Sequence, residues 1–295
     1  MVPLLRGPTG ILASCVLILS GCRTLDPAGV ESFSSGISAT KAQSELAFSA
    51  IAKVTREDSI DFAANQPTLK ADNLVTVPST GAVEAWDDLF SILEKYGQHL
   101  SALTSANSAK DVENSLGMLA KQFNATSATF KQVNFIATSP QISAKLAASF
   151  DEVARLLVQT RAQAVARKIA ADTDLPMMAV FHGLADGIGA TRKEGLRRFV
   201  AAHWAERRGV KQVAFLEAKT DLGRRRITQE FSELLDKEET QDHVLDSLRR
   251  SLLALASAHH AIAQGHTMGL RDAIDTISIE LKHARDLRDQ LKAKL

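Results

Sequence analysis

The chain has 295 residues, of which 45% are hydrophobic and 5% aromatic, with 35 Lys and Arg against 34 Asp and Glu. This composition is typical of a helix-rich globular protein and excludes a disordered tail. Both cysteines, Cys15 and Cys22, precede residue 23. The rest of the chain therefore has neither a disulfide nor a thiolate metal site, and its stability must come from packing.

The first 22 residues have the pattern of a secretory signal. Arg6 ends a short basic start, residues 11–19 form an apolar run, and Ser20 and Gly21 precede Cys22. An apolar run of this length is short for a transmembrane helix, which needs about twenty residues. Two alternatives remain, namely an uncleaved membrane anchor and a cleaved signal that leaves Cys22 as a free thiol.

Residues 19–22, Leu-Ser-Gly-Cys, resemble the lipobox of bacterial envelope lipoproteins. The resemblance implies that residues 1–21 are a signal peptide cleaved before Cys22. It also implies diacylglycerol on the Cys22 sulfur and a palmitate-type acyl chain on the new amino terminus. Arg23 rather than aspartate follows the cysteine, which by resemblance to lipoprotein sorting in diderm bacteria implies delivery to the outer membrane, facing the periplasm.

Residues 22–28 then form a short acylated tether, and the first helix begins within it. Asp26 is the expected N-cap and Pro27 the first helical residue, since proline is tolerated there and aspartate caps the free N–H groups. The helix is predicted to run to about Asn65, with a break near Gly36 as an alternative.

Three further amphipathic helices follow a linker at residues 66–80. We expect them at residues 81–104, 109–138 and 140–172, where apolar residues recur every three or four positions. This spacing is typical of near-parallel helices with coiled-coil-like packing. The first two of the three form an antiparallel hairpin, because their connection is very short.

The segment 176–190 is apolar yet contains His182, Asp186 and three glycines. A buried helix packed closely through its glycines explains it. Insertion into a bilayer, as in helical pore-forming toxins, is an alternative, although Asp186 would be costly in hydrocarbon. His182 and Asp186 are four residues apart and would share a helix face.

The C-terminal part predicts further long helices. An amphipathic segment precedes a turn at residues 220–223, a long apolar seam runs from Ile227 to Ile262, and a last helix begins at Leu270. A break after Asp236 is an alternative, because the seam becomes polar there.

These elements predict an all-α fold, an elongated bundle of six or seven long amphipathic antiparallel helices. We expect an N-terminal helical bundle at residues 29–173. The C-terminal helices, at residues 174–295, are expected to pack on the same bundle, with a second bundle as the alternative.

Charge is unevenly distributed in the C-terminal half. Residues 192–226 contain eleven Lys and Arg against four Asp and Glu, whereas residues 227–246 contain one Lys against seven Asp and Glu. The preferred interpretation is that the two blocks pair with each other on a solvated face. Contact with an anionic surface such as lipid headgroups is the alternative. The arginines that would make it are Arg197, Arg198, Arg207, Arg208, Arg224, Arg225 and Arg226.

The histidines are the first candidates for a metal-binding or catalytic site. His259 falls on the apolar seam, His260 follows it, and His266 is seven residues later. Two histidines on one face with a carboxylate could hold a metal, but this spacing is weak evidence for ligation. We therefore expect His259 to be a neutral, hydrogen-bonded core residue, with no metal site and no cofactor beyond the covalent lipid. The sequence contains no phosphate-binding loop, nucleophile elbow or HExxH motif, so no catalytic residue is assigned.

These observations favour a non-enzymatic lipoprotein with an interaction or structural role in the cell envelope. Its expected contacts are the membrane, through the lipid on Cys22, and a protein partner that the sequence does not identify. Nucleic acid is not expected, because an exported protein would not meet it. A metal-binding or enzymatic protein using histidines and a membrane-active helical protein are the alternatives.

Overall fold

The structure, a computed structural model, describes residues 26–71, 74, 76–104, 109–132, 140–160 and 166–293. The predicted signal peptide, Cys22 and the tether as far as residue 25 lie outside these residues. So do the turn between the second and third helices and the end of the predicted third helix.

Helices account for all the regular structure in the described ranges, which confirms the all-α fold class. The nine helices are α1 Pro27–Ala64, α2 Thr80–Thr104, α3 Ala109–Gln132, α4 Pro140–Thr160, α5 Ala166–Asp172, α6 Asp174–Ile188, α7 Gly195–Glu217, α8 Asp221–Gln264 and α9 Thr267–Ala293.

The helix count differs from the expected six or seven for two reasons. The predicted helix at residues 140–172 comprises α4 and the short α5, and the apolar segment after it forms a helix of its own, α6. The predicted N-cap of α1 is confirmed, because the side chain of Asp26 accepts a hydrogen bond from the Ala28 amide at 3.1 Å.

The two breaks offered as alternatives are wrong, since α1 is continuous over 38 residues and α8 over 44. Gly36 lies inside α1 and faces Leu255 and Ile277 of the neighbouring helices. The polar interruption of the α8 seam consists of Glu238 and Gln241, both buried. Polar side chains with buried partners do not end a helix, and both have such partners on α7.

Helix α8 is the central element, and it packs against α1, α5, α6, α7 and α9. Helix α1 also packs against α2 and α9, while α4 packs against α3 and α6. One hydrophobic cluster includes residues from all nine helices, with Phe33, Leu93, Phe181 and Leu255 among its fully buried members. This cluster draws on described helices from both parts of the chain, α1–α5 and α6–α9.

Helices α1 and α8 are the two longest helices in the described ranges. Gly29, near the start of α1, packs against Leu270 at the start of α9. Asp58, near the other end of α1, forms an ion pair with Arg207 of α7. A helix of 44 residues such as α8 is about 66 Å long. The N-terminus of α1 and the loop between α7 and α8 consequently lie at opposite ends.

Helix α6 is a buried helix rather than an exposed apolar segment. It packs between α4 and α8, and Gly183 allows Leu146 of α4 to approach its backbone. His182 and Asp186 are both exposed on its outer side. Within the described ranges, none of the helices has the length and hydropathy required to cross a membrane.

Gly189 ends α6 with φ 101°, a conformation that side chains with a Cβ rarely adopt. A Cβ at this position would also clash with the backbone carbonyl of Glu194. We expect Gly189→Ala to lower the free energy of unfolding by about 2 kcal/mol or more. Gly209→Ala is the matched control, because Gly209 lies inside α7 with open space around it, and we expect it to stabilise by about 0.5 to 1 kcal/mol. Urea denaturation measures both, and equal effects would contradict the assignment.

Candidate functional site

A buried polar network joins α2, α6 and α8, and we call it the Asp174 network. The Tyr96 hydroxyl lies 2.7 Å from His259 Nε2 and 2.7 Å from Thr173 Oγ1. On the other side of the ring, His259 Nδ1 lies 3.4 Å from Asp174 Oδ1. His260 Nδ1 is 2.8 Å from the second oxygen, Asp174 Oδ2. One carboxylate, two imidazoles and two hydroxyls are thereby connected.

Three helices position these groups. Thr173 and Asp174 form the start of α6, where the carboxylate also benefits from the positive end of the helix dipole. His259 is 0% exposed and lies on the inner face of α8, with its ring centroid 5.9 Å from that of Phe33. Tyr96 has the only tyrosine ring in the sequence and is equally buried. Aromatic rings surround His259, since Phe33 and Tyr96 both pack against it.

The pKa values of the network follow from this burial. Burial lowers the pKa of His259, and the nearby Asp174 opposes that effect only in part. Burial would raise the pKa of Asp174, but hydrogen bonds from His259 and His260 outweigh it, so the pKa is lowered. Burial also raises the pKa of Tyr96. At neutral pH, Asp174 is therefore ionised, His259 is neutral and Tyr96 is protonated.

These protonation states fix the direction of the hydrogen bonds. An ionised Asp174 only accepts, so His259 carries its proton on Nδ1 and donates it to the carboxylate. Its Nε2 then accepts from the Tyr96 hydroxyl. A carboxylate, an imidazole and a hydroxyl in line can transfer protons in enzymes. Here Tyr96 and His259 are inaccessible to a substrate, and the arrangement instead connects three helices. The structure shows the expected burial and hydrogen bonding of His259.

The lowered pKa of His259 predicts a pH-dependent stability. In the unfolded chain a histidine binds a proton below about pH 6.5, whereas folded His259 resists protonation. The unfolded state thus binds more protons, and stability should fall as the pH decreases from 6.5 towards the folded-state pKa, by up to about 1.4 kcal/mol per pH unit.

Urea denaturation between pH 7.5 and 5 measures this dependence, with His259→Gln as the comparison. Burial also lowers the pKa of His99, so the relevant quantity is the difference between the two proteins. The wild-type chain should lose more stability on acidification than the variant. Identical slopes would contradict the assignment.

The histidines considered for metal binding do not converge. His259 uses both ring nitrogens in the Asp174 network, and His266 is exposed just before α9. Over the residues that the structure describes, no group of three or more His, Cys, Asp or Glu side chains is arranged so that it could hold a metal ion. His260 approaches Asp174 instead, from the outer side of α8.

A second polar cluster holds α7 against α8, with Arg197 at its centre. Arg197 donates from Nε and Nη2 to the two oxygens of Asp242 at 2.7 and 2.9 Å. Its Nη1 donates to Asp246 at 2.8 Å and to the Ala190 carbonyl at 2.9 Å. Burial disfavours the charge on Arg197, but the two carboxylates outweigh it and raise the arginine pKa. The bidentate geometry makes this the best-satisfied ion pair of the cluster.

Arg207 is the second buried arginine of α7, and it pairs with α1. Its guanidinium forms an ion pair with Asp58 and lies over the Phe62 ring, 3.8 Å from the centroid. His203 Nε2 is 3.1 Å from the same Asp58 carboxylate. Burial would raise the pKa of Asp58, but hydrogen bonds from His203 and Arg207 lower it. The end of α1 is thereby fixed to α7.

The structure divides the seven arginines that were candidates for contact with an anionic surface. Arg197 and Arg207 are buried in ion pairs, so they present no charge to an external anion. Arg208 is partly buried and pairs with Glu238. The remaining four, Arg198, Arg224, Arg225 and Arg226, are exposed. Pairing of the basic block with the acidic block is found for Arg197 and Arg208, but it is buried rather than on the expected solvated face, and Arg207 pairs with α1 instead. An external surface is left to Arg198 and to the arginines at the start of α8.

In the Asp174 network, the sequence indicates the central histidine but not its hydrogen-bond partners. The sequence places His259 in the core, but it does not connect His259 with its partners Asp174 and Tyr96. The local signal for this site is a charged residue, Asp174, at the first position of a helix directly after Thr173. The distance along the chain between Tyr96 and His259 is 163 residues, and no local pattern reports such a contact.

Comparison with known proteins adds no relative: the chain matches no family model, no curated protein and no solved structure.

Proposed function

We propose that this chain is a lipid-anchored, non-enzymatic protein of the bacterial cell envelope. In this proposal the helical bundle is an interaction or structural module held at the outer membrane and facing the periplasm. The observation that carries the proposal is the lipobox-like sequence at residues 19–22, which places Cys22 four residues before the N-cap Asp26.

The short spacing between Cys22 and α1 supports a location at the bilayer surface. Four residues span at most about 14 Å when fully extended. The start of the bundle would therefore lie close to the headgroups. Each buried methylene contributes about 0.8 kcal/mol, so the two or three acyl chains implied for Cys22 would hold the protein stably, whereas one chain would not.

Burial of the reactive side chains supports a non-enzymatic role. The Asp174 network resembles a proton relay, but the His259 imidazole and the Tyr96 phenol have no access to solvent. The exposed pair His182 and Asp186 on α6 has no nucleophile assigned to it. The buried polar groups connect helices of the bundle to each other, which favours a role as a scaffold.

Substitution of the two cysteines tests the proposal directly. We expect the wild-type chain, expressed in a diderm bacterium, to incorporate a labelled palmitate analogue and to fractionate with the outer membrane. Cys22→Ser should abolish the label, because the thioether to diacylglycerol cannot form. Cys15→Ser is the matched control and should be labelled like the wild type. Labelling of the Cys22→Ser variant, or an unlabelled wild type, would reject the lipid anchor.

A further inference from the structure

The α7–α8 hairpin extends beyond the end of α1. Arg207 lies near that end, because its guanidinium lies over the ring of Phe62, two residues before α1 ends at Ala64. Helix α7 continues for ten more residues to Glu217, which adds about 15 Å. Helix α8 begins at Asp221 and returns along α7. We call residues 210–228, which include the connecting loop, the hairpin tip.

Large apolar side chains are exposed on the hairpin tip. Leu216 is 79% exposed and Leu222 is 80% exposed, one on each side of the loop, and Val213 is 55% exposed. Between the two helices an apolar groove of about 480 Å³ is lined by Phe215 and Ile227, among other residues. Apolar side chains gathered at a projecting end, rather than scattered singly, mark an interaction surface.

Positive charge surrounds these apolar side chains. Residues 216–226 contain Lys219, Arg224, Arg225 and Arg226 against Glu217 and Asp221. Arg224 lies 5.7 Å from the Phe215 ring centroid, and its Nε donates to the Ala218 carbonyl at 3.2 Å. The side chains of Lys219 and Arg225 are exposed. The excess of cations disfavours pairing of two identical tips and favours an anionic partner.

We propose that the hairpin tip docks onto an anionic phospholipid bilayer. Leu216 and Leu222 enter the boundary between headgroups and acyl chains, while Lys219 and Arg225 contact lipid phosphates. A bilayer fits both properties of the tip, because it offers negative charge at its surface and an apolar interior directly beneath. Long cationic side chains can reach the phosphates while their stems remain apolar.

Docking of the tip is a separate contact from the anchor on Cys22. The start of α1 lies beside Leu270, and the tip lies beyond the other end of α1. The inference deepens the proposed function by naming a surface that the bundle contacts, but it does not require acylation. A protein lacking Cys22 therefore tests the tip alone.

The experiment measures cosedimentation with vesicles of phosphatidylcholine, with and without phosphatidylglycerol. The protein is residues 23–295, which retains every contact made among the described residues. We expect binding to vesicles that contain phosphatidylglycerol, weaker binding at high salt and little binding to phosphatidylcholine alone. The double variant Leu216→Ser, Leu222→Ser should bind at least about tenfold more weakly. Both side chains are exposed, so the variant should keep the wild-type circular dichroism.

Ile279→Ser is the matched control, since Ile279 is 67% exposed on α9, away from the tip. It should bind like the wild type. Equal binding of the tip variant, equal binding to neutral vesicles or no binding at all would overturn the proposal. Tip-dependent crosslinking to an envelope protein without vesicle binding would overturn it in favour of a protein partner. None of these outcomes bears on the acylation of Cys22, which the cysteine variants test separately.

Discussion

Replacing Arg197 with alanine is expected to lower the free energy of unfolding by about 3 to 5 kcal/mol. Arg197 is buried and makes four hydrogen bonds, to Asp242, Asp246 and the Ala190 carbonyl. Its removal leaves the nearly buried Asp242 carboxylate with Arg192 as its remaining ion-pair partner, at 2.9 Å and with a half-exposed side chain. A buried charge that loses its principal partner is far more costly than the net contribution of the pair.

The neighbouring residue provides the control for this prediction. Arg198 is exposed and lies over the Phe199 ring at 4.8 Å, so Arg198→Ala should change stability by less than about 1 kcal/mol. Urea denaturation followed by circular dichroism measures both variants. Similar effects of the two substitutions would show that the ion pairs between α7 and α8 do not hold the helices together.

The second large effect is expected from Asp174→Ala, at about 2 to 3 kcal/mol. The substitution removes the acceptor for the buried His259 Nδ1–H and for His260. His259 is 0% exposed, so loss of this acceptor would leave a buried donor unsatisfied. The favourable charge at the start of α6 is lost as well.

Asp172→Ala is the corresponding control, two residues earlier. The Asp172 carboxylate forms an ion pair with Lys168 at 3.0 Å on the surface, which contributes about 0 to 1 kcal/mol. The ratio of the two effects in urea denaturation is the informative quantity. If Asp172→Ala were as costly as Asp174→Ala, burial of the network would not be the cause.

Local sequence patterns predict a helix well where residues of that helix alone determine its bounds. Asp26 and Pro27 mark the start of α1, and the three-and-four spacing of apolar residues marks α2 and α3. The continuity of α8 could not be predicted in this way. Gln241 interrupts the apolar seam, but it lies in the core because it accepts a hydrogen bond from Trp204 at 2.9 Å. The partner is on another helix, and the seam alone does not show it.

The arginines also show that a local pattern does not reveal contacts with another helix. Arg197 and Arg198 are adjacent and chemically identical, yet one is buried between carboxylates and the other faces solvent. Only the rotation of α7 against α8 separates them. Similarly, Arg207 pairs with α1 whereas Arg225 lies exposed on the hairpin tip. The charge blocks indicated pairing, but the choice of arginines depends on tertiary packing.

The lipid anchor is the opposite case, because its evidence is entirely local. Four consecutive residues after an apolar run carry the prediction, and no tertiary contact enters it. In the structure, the bundle begins at Asp26, four residues after Cys22, and the hairpin tip lies at the opposite end of α1. The proposed function in the cell envelope therefore depends on the chemical state of Cys22.

The most direct test is mass spectrometry of the N-terminal peptide of the protein extracted from bacterial envelopes. The account predicts a peptide that begins at Cys22, with diacylglycerol on its sulfur and an acyl chain on its amino group. A peptide that retains residues 1–21, or one that begins at Cys22 with an unmodified thiol, would contradict it.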